Sequence, residues 1–129
     1  MVVNKVAAII LKDKKFLCVK EQGLDVLITP GGKQEGNETD EETLRRELKE
    51  ELGLDLLSMK FLGVFKDKVY QNNDDLILET YFADVNGIPK PYSEIEKLFW
   101  VDSRFKEVEL SNAIHKHIIP KLLDMKLIK

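Results

Sequence analysis

Apolar and polar residues alternate in short runs near the start of the chain, a pattern typical of strands. Residues 2–11 are mostly β-branched or apolar, and residues 16–21 form a second apolar run. The polar pair Asp13-Lys14 between these runs is typical of a turn. The pattern therefore predicts a β-hairpin over residues 2–21.

A further short strand is predicted at residues 26–29, and it should end at Pro30. Three of the seven residues 31–37 are glycine, which is too rich in glycine for regular secondary structure. We therefore expect residues 31–37 to form a loop.

The next segment carries the start and stop signals of a helix. Thr39 is followed three residues later by Glu42, which is the spacing of a capping box. The helix should run to about Leu52, because Gly53 is a natural C-terminal stop.

The second half of the chain returns to strands and closes with a helix. Strands are predicted around residues 60–65, 76–83 and 98–101, and an amphipathic helix over residues 111–123, in which Pro120 should introduce a kink. These elements predict an α/β layer fold, with a mixed sheet between one helix on each face. A length of 129 residues fits one domain spanning residues 1–129.

Composition narrows the partners and the compartment. The net charge is −3, so we do not expect a DNA or RNA duplex as partner. No apolar run is long enough to span a bilayer, and no membrane partner is expected. The single cysteine, Cys18, lies in an apolar run and suits a buried thiol in a reducing cytoplasm. The sequence therefore predicts a soluble, cytoplasmic protein, either a monomer or a homodimer.

The predicted helix carries a cluster of carboxylates. On a helical projection Glu47, Glu50 and Glu51 share a sector of about 100°. Such clustering is unfavourable without a nearby cation, and Lys49 points to the far side of the helix. Hard oxygen ligands of this kind suit Mg²⁺ or Mn²⁺, although a single pair of glutamates would more often be a solvated helix face.

The spacing over residues 32–54 is more specific than any one pair. Gly32 is followed after five residues by Glu38, and after seven more by Arg46-Glu47 and the run Glu50-Glu51-Leu52-Gly53-Leu54. At every defining position this stretch resembles the Nudix box. The resemblance implies an α/β/α sandwich that hydrolyses a nucleoside diphosphate linked to another group, with Mg²⁺ or Mn²⁺ as cofactor.

The resemblance also assigns roles to residues of this chain. It implies that the metal ligands are the Gly31 carbonyl and three carboxylates, those of Glu47, Glu50 and Glu51. By the same resemblance, Arg46 orients Glu47, and Glu38 closes the loop.

Many members of the family add a glutamate before the last strand, as a base or as an extra metal ligand. Glu94 stands six residues before Trp100 and fits this position, with Glu96 as the alternative. Alternation along residues 94–96 would place both acids on one side of an extended segment, so the sequence leaves the choice open.

Several residues are weaker candidates for substrate binding. Lys33 follows the glycine pair, and Lys20 could reach a phosphate, although an exposed strand lysine is the simpler interpretation. Tyr70 resembles a tyrosine of family members that act on dinucleoside polyphosphates, but it could equally serve packing. Asn112 resembles an asparagine that reads oxidised guanine in MutT-like members, but beside Ser111 it also fits a helix cap.

These observations predict a MutT-like pyrophosphohydrolase. The expected substrate is a (deoxy)nucleoside triphosphate, cleaved to the monophosphate and pyrophosphate. A dinucleoside polyphosphate hydrolase is the first alternative, and a non-catalytic Nudix domain that senses a nucleotide is the second. Because all box glutamates are present, the sequence favours catalysis over sensing.

Overall fold

The computed structural model describes residues 1–69 and 72–129. Its strands form a four-stranded sheet of order β4-β1-β6-β5 and a three-stranded sheet of order β2-β3-β7. The strands are β1 (Val2–Ile9), β2 (Leu11–Lys12), β3 (Lys15–Glu21), β4 (Gly31–Gly32), β5 (Asp55–Lys68), β6 (Asp75–Asn86) and β7 (Ile95–Val101).

The predicted hairpin over residues 2–21 is wrong in part. Strands β2 and β3 do pair around the Asp13-Lys14 turn, where both residues have positive φ. Strand β1 instead pairs parallel with β6 and antiparallel with β4 in the other sheet. The physical reason is that β1 contributes buried residues to the cores on both of its faces. Its backbone N–H and C=O groups therefore bond to strands on both edges instead of to water.

The glycine pair also differs from expectation, because Gly31–Gly32 forms the short strand β4 rather than a loop. Gly31 has φ 134°, and a Cβ there would lie 2.0 Å from the Val6 carbonyl oxygen. Only glycine allows this approach to β1. The predicted strand at residues 26–29 is reduced to isolated bridges, Val19 to Ile28 and Leu27 to Leu110.

Helix α1 (Asp40–Leu52) has the predicted bounds and caps. The Thr39 hydroxyl accepts the Glu42 N–H at 3.2 Å, and the Glu42 carboxylate accepts the Thr39 N–H at 3.0 Å. Gly53 ends the helix with φ 68°, in the left-handed region.

The C-terminal helix is interrupted as the proline suggested. A π-helical turn (Ile114–Ile118) precedes α2 (Ile119–Asp124), and Pro120 lies in the first turn of α2. Proline has no N–H and cannot donate the i→i−4 bond of a regular α-helix. The wider π-turn before Pro120 accommodates this missing bond. The Ser111 hydroxyl accepts the Ile114 N–H at 3.4 Å and caps the segment.

The helices cover opposite faces of the sheets and confirm the α/β/α sandwich. One core includes Val6, Ala8 and the α1 leucines, among them Leu48. The other core includes Ala7, Ile9 and residues of the C-terminal helix. Alternate residues of β1 therefore point toward alternate helices. Cys18 is fully buried in the second core, as expected.

In residues 1–69 and 72–129 no helix combines the length and the apolar character needed to cross a bilayer.

A hydrogen bond between Asp67 and His117 joins β5 to the C-terminal helix. The Asp67 carboxylate lies 2.8 Å from His117 Nε2, and Phe65 stacks on the His117 ring. Burial raises the pKa of Asp67, but hydrogen bonds from the Lys68 N–H and His117 outweigh it and leave the pKa lowered.

We expect Asp67→Ala to lower the free energy of unfolding by about 1 kcal/mol, because the pair is partly shielded from water. Urea denaturation at neutral pH measures this, with Asp84→Ala, an exposed strand aspartate, as control. A carboxyl with lowered pKa stabilises above its unfolded pKa, so the difference should shrink in acid. Equal stability of the two variants at neutral pH would contradict the assignment.

Candidate active site

The glycine pair of β4 lies directly against the C-terminal half of α1. The Gly31 N–H donates to Glu51 Oε1 at 3.1 Å. A Cβ on Gly32 would lie 2.6 Å from the Glu47 carboxylate. Gly32 is therefore needed for the close approach to Glu47, whereas Gly31 is needed for the approach to β1.

Arg46 organises the surroundings of Glu47. Its guanidinium donates two 2.8 Å hydrogen bonds to the Glu38 carboxylate and one of 2.7 Å to Glu47. It also donates to the Lys33 carbonyl at 3.1 Å and approaches Glu50 at 3.5 Å. The Arg46 hydrogen bonds lower the pKa of Glu38 to about 2, and the pKa of Arg46 is raised in return. Arg46 thus fixes Glu47 and ties the loop after β4 to the helix.

Glu51 is a buried carboxyl with only 4% of its surface exposed. Burial raises the pKa of Glu51 to about 9, and the hydrogen bond from Gly31 only partly opposes this. Nearby Glu47, Glu94 and Glu21 raise the pKa further. An acidic cluster of this kind is stabilised by any cation that binds among its oxygens.

Glu94 reaches this cluster because its loop packs on the end of α1. The Lys90 N–H donates to the Leu52 carbonyl at 3.1 Å, and the Tyr92 N–H donates to the Glu51 carbonyl at 2.9 Å. These bonds satisfy carbonyls that a helix end otherwise leaves unpaired. They place Glu94 beside Glu51, on the side of the glycine pair.

The structure separates the two candidate acids before the last strand. Ser93 donates to Glu94 at 2.5 Å, and this bond, together with the Glu94 backbone N–H, lowers the pKa of Glu94. Glu96 instead pairs with Lys20 at 2.5 Å, with 53% of its side chain exposed. Glu94 and Glu96 therefore lie in different surroundings, although they are two residues apart.

A cavity of about 530 Å³ opens beside the cluster. Four of its carboxylates, those of Glu21, Glu47, Glu51 and Glu94, lie close enough for the other three to raise the pKa of Glu51, and they form one acidic end. Much of the remaining wall is aliphatic and includes Leu24, Ile28, Leu76, Leu78 and Ala113; the other charged lining residues are Glu35, Lys5, Lys33 and Lys68. A polar end and an apolar end suit a ligand that is itself divided in this way.

The predicted site residues are only partly brought together. Those that line the cavity are Gly31, Lys33, Glu47, Glu51 and Glu94, whereas Arg46, Glu50, Lys20 and Asn112 do not line it. Glu50 is exposed against Arg46, and Asn112 is exposed beside the capping Ser111. Tyr70 lies outside the described residues and stays a prediction.

The charged cavity residues that the sequence did not assign to the site are Lys5, Glu21, Glu35 and Lys68, of which Lys5 and Glu21 lie in predicted strands. Lys5 interrupts the apolar run of β1, and Glu21 ends the apolar run of β3. A charge inside a predicted buried strand is the signal that could have identified them.

The donor set fits a hard divalent cation, although no ready-made ligand cage is present. In the described part of the chain, no three acidic, imidazole or thiol groups are already arranged to hold a metal ion. Glu47 is engaged with Arg46, and Glu51 is engaged with Gly31. The carboxylate oxygens of Glu47 and Glu51 could hold Mg²⁺ or Mn²⁺. Such ions typically keep several waters and bind substrate phosphates.

Comparison with known proteins identifies the class to which this fold and site belong. The family model for the NUDIX domain matches residues 2–122. The chain therefore belongs to the Nudix family.

The Bacillus subtilis (strain 168) protein YtkD, whose name marks it as an inferred 8-oxo-dGTP diphosphatase, is similar over part of its length. It is 41% identical over 61 residues, which is 47% of this chain and 37% of YtkD. The match thus spans well under two thirds of that relative.

Two crystal structures show the same fold. The MutT protein from Methanosarcina mazei Go1 has a TM-score of 0.80 at 19% identity, covering 97% of this chain and 96% of that chain. The MutT NUDIX hydrolase from Burkholderia pseudomallei has a TM-score of 0.77 at 24% identity, covering 96% of this chain and 97% of that chain. At these identities the likeness concerns the fold alone.

Proposed function

We propose that this Nudix hydrolase cleaves a (deoxy)nucleoside triphosphate to the monophosphate and pyrophosphate, with Mg²⁺ or Mn²⁺ as cofactor. The observation that carries the proposal is the buried Glu51 carboxyl beside Glu47, at the acidic end of a cavity that also has an aliphatic wall. A cavity of about 530 Å³ is within the range typical of small-molecule sites. The partial similarity to YtkD supports a purine triphosphate as one substrate.

Glu47 and Glu51, with the Gly31 carbonyl, would hold the cation, and Glu50 could join them by releasing Arg46. When bound, such a cation neutralises diphosphate oxygens and lowers the pKa of bound water. Arg46 contributes by holding Glu47 in place, so it acts as a positioning residue.

Glu94 is the residue that we assign to the attacking water. It is exposed, and it lines the cavity beside Glu51. A carboxylate in that place can accept the proton that water loses as it attacks phosphorus. The Ser93 hydroxyl, which donates to Glu94, orients the acceptor.

The aliphatic end would receive the nucleoside. Leu76, Leu78 and Ile28 offer an apolar surface for a base, and the exposed Lys33, which also lines the cavity, could meet phosphates. The nucleotide would then lie with its base on the aliphatic wall and its phosphates toward Glu47 and Glu51.

A panel of nucleotides, incubated with Mg²⁺ or Mn²⁺ and separated by chromatography, tests the proposal. A triphosphate should give the monophosphate and pyrophosphate, and chelation of the metal should abolish turnover. Orthophosphate and a diphosphate as sole products would contradict it. Turnover of a dinucleoside polyphosphate alone would favour that substrate class, and binding without turnover would favour a sensing domain.

A further inference from the structure

Lys5 is a charged residue inside the cavity for which the proposed mechanism has no role. It lies on β1, paired with Leu78 of β6, and it is partly buried. Its neighbours Val6 and Ala7 belong to different cores, with Val6 toward α1 and Ala7 toward the C-terminal helix. Since side chains alternate along a strand, Lys5 projects on the same face as Ala7.

That face belongs to the apolar end of the cavity. Leu78 and Ala113 are members of the core that contains Ala7, and both line the cavity. The proposed phosphate site differs, because Glu47 and Glu51 belong to α1, which packs on the opposite face of β1. Lys5 therefore lies on the face of the aliphatic wall, near its border with the acidic end at Glu21, where it can reach the part of a ligand that rests on that wall.

Within residues 1–69 and 72–129, the Lys5 ammonium makes no ion pair or hydrogen bond to a side chain, whereas Lys68 pairs with Asp75. Glu21 is close enough for Lys5 to offset part of the burial that raises the pKa of Glu21. A cation on an apolar wall without a direct partner is unfavourable until a ligand supplies an acceptor.

We propose that Lys5 is a specificity-determining residue that donates a hydrogen bond to a ring carbonyl of the substrate's base. This inference rests on the proposed function, since it takes the ligand to be a nucleotide. An ammonium has three donors and no acceptor, so it pairs with a carbonyl and leaves an amino group without a partner. The enzyme should therefore prefer bases with a keto group at that edge, of the guanine or uracil type, over adenine and cytosine.

The test compares kcat/KM for GTP, UTP, ATP and CTP in the wild type and in Lys5→Met. Lys5→Met should lower kcat/KM for GTP and UTP about 10- to 100-fold, because a charged hydrogen bond is lost. The values for ATP and CTP should change by less than about threefold. Lys66→Met, which removes an exposed lysine of β5 that does not line the cavity, is the matched control.

Two further measurements keep the outcome decisive. Lys5→Gln serves if Lys5→Met does not fold. It keeps a polar side chain and adds an acceptor, so it should also reduce the preference for GTP and UTP over ATP and CTP. Calorimetric binding of GMP and AMP separates this inference from the proposed function, because it needs no turnover. Suppose that the wild type hydrolyses no triphosphate and still binds GMP more tightly than AMP, with the difference lost in Lys5→Met. That result would refute the proposed hydrolysis and support the role of Lys5. A uniform loss across all bases, or no loss, would overturn the role of Lys5.

Discussion

Glu51→Gln should lower kcat at least about 100-fold while the protein stays folded. The substitution keeps the shape of the side chain and can keep the bond from the Gly31 N–H, but it removes the carboxyl group that would ionise to bind the cation beside Glu47. The measurement is kcat at saturating Mg²⁺ with the best nucleotide of the panel. Glu41→Gln is the matched control, since Glu41 lies on the same helix, is exposed, and within the described part of the chain pairs with Arg45.

Wild-type turnover in Glu51→Gln would refute the assignment of this carboxylate to the metal site. Melting curves supply an independent check, because a ligand that binds only the folded state raises the melting temperature. Mg²⁺ or Mn²⁺ should stabilise the wild type and the Glu41→Gln control, and should stabilise Glu51→Gln much less.

The same substitution should stabilise the metal-free protein at alkaline pH. The unfolded chain ionises Glu51 near its ordinary pKa of 4.5, whereas the folded protein keeps the proton up to a pKa of about 9. The folded state therefore binds more protons, and stability is lost as pH rises from 4.5 to 9. Glutamine has no proton to lose, so urea denaturation of Glu51→Gln should show a smaller decline across this window. Glu47, Glu94 and Glu21, which face Glu51, make its ionisation costlier still.

The part of the fold that the sequence predicts best is the part held by local interactions. The capping box of Thr39 and Glu42 and the stop at Gly53 are contacts within one helix and its caps, and the structure has all of them. Glu47 and Glu51 lie one turn apart on that helix, so their closeness could be deduced from helical geometry alone, whereas Glu50 faces Arg46 outside the cavity lining.

The partners of β1 could not be deduced in the same way. Val2–Ile9 pairs in parallel with Asp75–Asn86, at the other end of a long stretch of chain, and local periodicity has no information about such a pairing. A turn at Asp13-Lys14 suggested the nearest apolar run as partner instead. The short strand Gly31–Gly32 was missed because glycine is depleted in strands, although here close backbone approach requires it.

The cavity combines both kinds of residue. Glu47 and Glu51 come from the predictable helix, whereas Lys5 and Glu21 come from two different sheets. Only the tertiary fold brings them to one cavity, which is why spacing along the chain could not assign them.

Glu94→Gln should lower kcat about 10²- to 10⁴-fold with little change in KM, whereas Glu96→Gln should stay within a few-fold of wild type. The sequence could not choose between these acids, but their surroundings differ. Glu94 lines the cavity beside Glu51, and Glu96 is paired with Lys20 outside the cavity lining. The two variants remove the same charge from residues two positions apart, so each is the other's control.

The pH dependence distinguishes a base from an additional metal ligand. If Glu94 accepts the proton of the attacking water, Glu94→Gln should flatten the acidic limb of the pH–rate profile, and added metal should not restore the rate. If Glu94 only helps to hold the cation, higher Mg²⁺ should recover most of the activity. A large loss in Glu96→Gln with a nearly active Glu94→Gln would transfer the role to Glu96 and contradict the placement of the two side chains. Two nearly active variants would mean that neither carboxylate accepts the proton, so that water would be activated at the site of Glu47 and Glu51 without a separate base.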